Sequence, residues 1–249
     1  MRPVRVALFT TCLADGVVPE VAKATVRLLR RLGVDVEVPP TQTCCGQLHI
    51  NNGYAREALP LVRNHVEAFS GFDYVVSPSG SCTASVRHQH PEVSDDAGDE
   101  QLTWASRELA SRTFELSEFL IDVLNIDDVG AYFPHRVTYH PTCHSLRLLR
   151  LGDRPLRLLR KVEAIELVAL GDAESCCGFG GTFALKNGDV SSAMLADKTA
   201  AIRATGASIC TAADSSCLLH IGGGLSHQGA PVTTVHLAQI LASTRDADA

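Results

Sequence analysis

The sequence has no excess of positive charge: across 249 residues, 22 lysines and arginines stand against 28 aspartates and glutamates, a net charge of −6. It therefore lacks the basic footprint that nucleic acid or an anionic membrane requires. It also lacks an unbroken apolar run. The longest stretch without Asp, Glu, Lys or Arg, Ser215 to Thr244, holds Gly222-Gly223-Gly224, Pro231, His220, His227 and His236, so no membrane span is expected. The opening Val6-Ala7-Leu8-Phe9 is too short for a signal peptide, and Thr10-Thr11-Cys12 is no small-residue cleavage pattern. A cytoplasmic setting is expected. Also absent are a G-x-G-x-x-G fingerprint, any C-x-x-C redox motif, the paired C-x2–4-C zinc pattern and the ferredoxin run C-x2-C-x2-C-x3-C. No nucleotide-borne hydride acceptor is indicated.

What the sequence has is cysteine, at positions 12, 44, 45, 82, 143, 176, 177, 210 and 217. An odd number cannot pair completely within one chain, and a chain of this length buries an adequate core without disulfide staples. In a reducing compartment, clustered cysteines point to metal or redox chemistry. The cysteines repeat. Cys12, Cys44-Cys45-Gly46 and Cys82 recur as Cys143, Cys176-Cys177-Gly178 and Cys217, at offsets of 131, 132 and 135 residues. Only Cys210 has no counterpart. The chain therefore reads as one unit duplicated, residues 1–130 and 131–249, with residues 125–135 as the boundary.

Hydrophobic patterning supports two α/β halves. In the first, a strand is expected over residues 4–10 and a helix over 19–32, with Pro19 at its start and Gly33 as its stop. The strictly alternating Val34-Asp35-Val36-Glu37-Val38 predicts a strand, residues 55–69 a helix, and residues 72–76 a buried strand. The order recurs: strand 137–139, helix 146–159, strand 165–170, helix 191–204 and strand 207–211. Such alternation predicts a small, mostly parallel sheet flanked by helices in each of two pseudo-symmetric halves. The acidic segment from Glu92 to Glu100 reads as an exposed loop.

In this topology Cys12, the Cys-Cys pair and Cys82 each follow a strand, so three loops converge on the carboxyl edge of one sheet, where open α/β sheets bind ligands. Helix N-termini and backbone N–H groups there favour thiolates. Gly46 and Gly178, without Cβ, allow close backbone approach. Adjacent cysteines are expected to point apart, which strains binding of one ion by both; this favours a polynuclear iron–sulfur cluster over mononuclear zinc. Cys210, in Ser208-Ile209-Cys210, reads as a core strand residue. His140 and His144 flank Cys143 and His220 follows Cys217; each is a candidate for outer-sphere tuning of the site, for ligation or for proton relay. Asp214 stands three residues before Cys217, where the first half has Ser79.

The strings Gln42-Thr43-Cys44-Cys45-Gly46-Gln47, Tyr139-His140-Pro141-Thr142-Cys143-His144-Ser145-Leu146-Arg147 and Ala213-Asp214-Ser215-Ser216-Cys217-Leu218 resemble the lactate utilisation protein A family of duplicated cysteine-rich CCG-domain proteins. That pattern runs from one cysteine to Cys-Cys-Gly to a closing C-x-x-C, and the gaps here of 31 and 36 residues, then 32 and 39, match it. The likeness extends from Val4 to about Leu241. It implies an iron–sulfur subunit of an L-lactate-oxidising complex with two further subunits, one of them ferredoxin-like. Related subunits serve glycolate oxidase and heterodisulfide reductase, where each five-cysteine motif holds a noncubane [4Fe-4S] cluster. Here Ser79 and Asp214 replace the first cysteine of each C-x-x-C, leaving four per half, enough for a [4Fe-4S] cubane. The implied ligands are Cys12, Cys44, Cys45 and Cys82 for one cluster and Cys143, Cys176, Cys177 and Cys217 for the other. Two other functions compete with this one: a zinc-holding scaffold, and a thiol–disulfide enzyme working through a vicinal Cys-Cys pair.

Overall fold

A computed structural model describes residues 4–245, which form two compact units dividing between Phe119 and Leu120. In the first unit, four short strands, β1 (Val6–Leu8), β2 (Val36–Glu37), β3 (Tyr74–Ser77) and β4 (Thr113–Glu115), form one sheet. Their order is β2-β1-β3-β4 and every pairing is parallel. The central strands are largely apolar because a parallel sheet covered by helices offers no solvent face; β1 is buried at each residue. The helix Pro19–Arg31 buries Val21, Ala24, Leu28 and Leu29, spaced three, four and one apart along a single stripe. Complete burial of each leucine contributes roughly 1.5–3 kcal/mol. Gly33, at φ +80°, ends this helix, as expected.

The second unit repeats the plan. Strands β5 (Arg136–Tyr139), β6 (Glu166–Val168), β7 (Ile209–Ala212) and β8 (Thr233–His236) run in the order β6-β5-β7-β8, again wholly parallel. Even the first residue beyond each central strand matches: the Phe9 N–H donates to the Val76 carbonyl at 2.9 Å, and the His140 N–H to the Thr211 carbonyl at 2.8 Å. The expected α/β class with two pseudo-symmetric halves is what the chain adopts. Among the described residues, no helix is long and apolar enough to cross a membrane.

Two local expectations are corrected. The segment Glu92 to Glu100 is not a loop. It lies mostly in the helix His90–Asp96, and another helix, Glu100–Ser111, begins after a short turn. Val93 and Ser94 are buried; the acidic residues that suggest a loop are largely the solvent face, and Asp99 caps the following helix by accepting from the Leu102 N–H at 2.9 Å. The helix expected over 146–159 is two helices, Cys143–Arg147 and Arg154–Lys161. Arg150 and Gly152 take positive φ between them, and Pro155 sits in the first turn of the second. The outer strands β4 and β8, Thr113-Phe114-Glu115 and Thr233-Thr234-Val235-His236, carry no apolar run that marks them in the sequence.

Strand β4 ends on Glu115, a fully buried carboxylate that caps the next turn by accepting from the Ser117 N–H at 2.8 Å. Burial, only partly offset by those donors, pushes its carboxyl up to about 7 from the ordinary 4.5. The neutral form is thus favoured by folding. Its contribution to stability is complete below about pH 4.5 and is lost as the pH rises through about 7, roughly 3 kcal/mol across that window. Glu115→Gln should flatten this part of the stability–pH profile in denaturant unfolding. Identical profiles for wild type and variant would show that Glu115 is not the titrating group.

Candidate metal centres

Both sets of thiols are placed by the same device. Cys12 opens the helix Cys12–Gly16 after β1, and Cys82 lies in the first turn of the helix Gly80–Ala84 after β3. Their counterparts Cys143 and Cys217 occupy the first turns of the helices Cys143–Arg147 and Ser215–His227. Each therefore sits where unpaired N–H groups and the helix dipole favour a thiolate. Between them comes the Cys-Cys-Gly turn. Gly46 and Gly178 are left-handed, with φ +79° and +90°, and each turns its N–H back onto the first cysteine of its pair, Gly46 to Cys44 Sγ and Gly178 to Cys176 Sγ, both at 3.4 Å.

In the first unit the sulfurs form a chain. The Cys12 and Cys45 thiols both donate to the Cys44 sulfur, and Cys45 also touches Cys82. The second unit has the same chain: Cys143 and Cys177 donate to Cys176, and Cys177 touches Cys217. The hydrogen bond from Cys12, then that from Cys45, holds Cys44 down to about 2; Cys143 and Cys177 do the same to Cys176. Cys12 and Cys143 are raised by the bonds they donate, as are Cys45 and Cys177, where burial adds to the effect. The adjacent sulfurs of each pair do not point apart as expected. The left-handed glycine folds the turn tightly enough to bring them within hydrogen-bond reach of one another. All nine cysteines are unpaired thiols.

The four thiols of each unit do not all lie mutually within 4.8 Å. Around a tetrahedral zinc with bonds of about 2.3 Å, sulfurs lie roughly 3.8 Å apart. Among the described residues, one set of three His, Cys, Asp or Glu donors lies mutually within 4.8 Å, and it is His140, Cys177 and Cys217; neither four-thiol set does. Cys210 is apart from these chains, buried in β7 among Cys177, Cys217, Ile202 and Ile221, and burial pushes its thiol up to about 12. It is the strand residue expected.

The outer candidates divide. Ser79 and Asp214 act as helix N-caps: the Ser79 hydroxyl accepts from the Cys82 N–H at 3.3 Å, and the Asp214 carboxylate from the Ser216 N–H at 3.2 Å. Residue types that replace a cysteine in sequence thus orient the helix presenting the next one. His144 Nδ1 meets Cys143 Sγ at 3.5 Å. His220 reaches the second turn indirectly, through the Ser191 hydroxyl at 3.4 Å, which donates to the Gly178 carbonyl at 2.9 Å. Sequence reasoning passed over three buried groups. His90 Nε2 donates to the Cys45 carbonyl at 2.7 Å, His65 packs edge-on against Phe9 with ring centroids 4.7 Å apart, and Lys198, 1% exposed, donates to the Asp172 carbonyl at 2.8 Å. A signal was present for His65: it continues the stripe Ala58, Val62, His65, Phe69 that its helix Ala55–Phe69 buries.

A family model for the cysteine-rich CCG domain matches the chain twice, over residues 6–87 and 137–222, spans that include all eight repeated cysteines. The chain is 46% identical over 237 residues to lactate utilization protein A of Geobacillus kaustophilus (strain HTA426), covering 95% of this chain and 98% of the relative. It is 43% identical to the protein of that name from Bacillus pumilus (strain SAFR-032), covering 96% and 99%. The chain belongs to the lactate utilization protein A family of CCG-domain proteins. Among solved structures, an aspartate racemase homologue from Pyrococcus horikoshii OT3 aligns over 97% of this chain and 96% of that one, at 12% identity and a TM-score of 0.35, too loose a likeness to bear on the sites.

The glycine that gives the CCG family its signature is not equally constrained in the two halves. A Cβ on Gly178 would stand 2.7 Å from the Ser191 carbonyl oxygen, whereas on Gly46 the nearest atom would be the Leu61 Cδ1 at 3.4 Å. Gly46→Ala should therefore cost chiefly the left-handed strain of about 1–2 kcal/mol, and Gly178→Ala should cost more and displace Cys176 and Cys177. Thermal unfolding of the metal-free variants measures the difference. Equal losses would rule out the close approach at Ser191.

Proposed function

We propose that the chain is an iron–sulfur electron-transfer subunit of an oxidoreductase complex that converts L-lactate to pyruvate. The observation that supports this most directly is the duplicated set of four thiols at a sheet edge, linked in series through the Cys-Cys pair in each half. Four cysteines are the ligand complement of a [4Fe-4S] cluster. Cys12, Cys44, Cys45 and Cys82 would hold one, and Cys143, Cys176, Cys177 and Cys217 the other. Such clusters supply one-electron chemistry. The chain's own residues do the rest. Helix N-termini and the Gly46 and Gly178 N–H groups offset the negative charge of the thiolates. Phe9, Phe69 and Phe72 in the first unit, and Ile202, Ile221 and Leu225 in the second, keep water from the buried side of each set.

The substrate class rests on the relatives, which are named for lactate utilization. The sequence has neither a ferredoxin run nor a dinucleotide fingerprint, so a ferredoxin-like subunit and a further subunit would complete the complex. A cytoplasmic location fits free thiols.

Anaerobic purification followed by iron, acid-labile sulfide and zinc analysis, with EPR after reduction, tests the proposal. Iron and sulfide in both halves are expected, with Cys44→Ser and Cys176→Ser each removing one half's share. Stoichiometric zinc without sulfide would sink the redox role. A deletion strain should fail to grow on L-lactate and still grow on glycolate; the reverse would reassign the substrate.

A further inference from the structure

We infer that His140 is a metal ligand of the second unit, completing with Cys177 and Cys217 an imidazole–dithiolate site that the first unit does not form.

His140 follows β5 directly and is 1% exposed, yet neither of its ring nitrogens has a hydrogen-bond partner. A buried imidazole left so is destabilising unless something else satisfies it. One ring nitrogen lies within 4.8 Å of both the Cys177 and Cys217 sulfurs, and those sulfurs lie within 4.8 Å of each other. Metal bonds of about 2.0–2.1 Å to nitrogen and 2.3 Å to sulfur require donors only slightly closer than this. Imidazole with thiolate is a donor set for borderline-soft divalent ions such as zinc, ferrous iron or cobalt.

The repeat provides an internal comparison. The residue with the same backbone hydrogen bond at the end of β1 is Phe9, whose ring packs against His65 and Phe69 and can ligate nothing. An offset of 133 residues relates Phe69 to Ile202 and likewise His65 to Lys198. Where the first unit buries a phenyl ring against an imidazole, the second buries an imidazole and an ammonium. Lys198 is anchored on the Asp172 carbonyl and is drawn electrostatically to Cys176 and Cys177. A fixed cation there compensates thiolate charge that the first unit must balance otherwise. Resting on the iron–sulfur assignment above, this gives the second centre a neutral nitrogen donor beside its thiols, where the first has thiols alone.

The test uses the full chain, stripped of metal under anaerobic reducing conditions and titrated with Co2+ alone. The tightest site should survive Cys45→Ser, which disables the first unit. His140→Phe, which installs the first unit's residue, should weaken it by more than the ~10–100-fold that loss of an outer-sphere partner costs. His140→Cys should restore binding, and it keeps the test decisive if His140→Phe does not fold. Pulsed EPR of the cobalt form should detect an imidazole nitrogen in wild type and in neither His140 variant. A smaller loss of affinity in His140→Phe, or no nitrogen coupling in wild type, would overturn the assignment. Iron and sulfide contents decide the cluster reading separately, so either can fail while the other stands.

Discussion

Parallel pairing of β1 with β3, and of β5 with β7, is the constraint on which both centres depend. Parallel strands all end at the same edge, so the segments that follow them must leave the sheet side by side. In the order β2-β1-β3-β4 the chain reverses direction of winding between β1 and β3, opening a crevice at their carboxyl ends. Cys12 follows one of these strands and Cys82 the other, while the Cys-Cys-Gly turn arrives from β2. Residues 70 positions apart in sequence therefore meet because the sheet leaves them nowhere else to go. The second unit obtains its four thiols from the same topology.

Within that frame the two units are chemically unequal. The thiol chains match sulfur for sulfur, and both glycines turn an N–H onto the first cysteine at the same distance. The surroundings do not match. The first turn is held from behind by His90 on the Cys45 carbonyl, and the second by Ser191 on the Gly178 carbonyl. Phe9 and His65 in one unit correspond in position to His140 and Lys198 in the other. A duplicated fold thus keeps its thiols and alters the dielectric and charge around them.

Much of this could be read before any coordinates. The helix Ala55–Phe69 follows from its apolar stripe and begins and ends where expected. The helix Pro19–Arg31 follows from proline at its start and glycine past its end. The four-plus-four division of the cysteines follows from their spacing. The segment from Glu92 to Glu100 was misread because acidic residues with a glycine suit a loop and an exposed helix face equally; burial of Val93 and Ser94 separates the two. Strands β4 (Thr113-Phe114-Glu115) and β8 (Thr233-Thr234-Val235-His236) left little pattern, because neither is an apolar run.

By itself the sequence determined the duplication, the alternation of strand and helix, and which eight cysteines belong together, since all three are periodicities in one dimension. Only the tertiary structure decided what surrounds the sulfurs. Whether adjacent cysteines diverge or meet depends on the left-handed turn at Gly46 and Gly178. Whether a histidine is solvated or buried without a partner depends on helices packed from distant parts of the chain. His140 is marked in the sequence only as a neighbour of Cys143, and Lys198 not at all, because burial and proximity are properties of the packed chain and not of any segment within it.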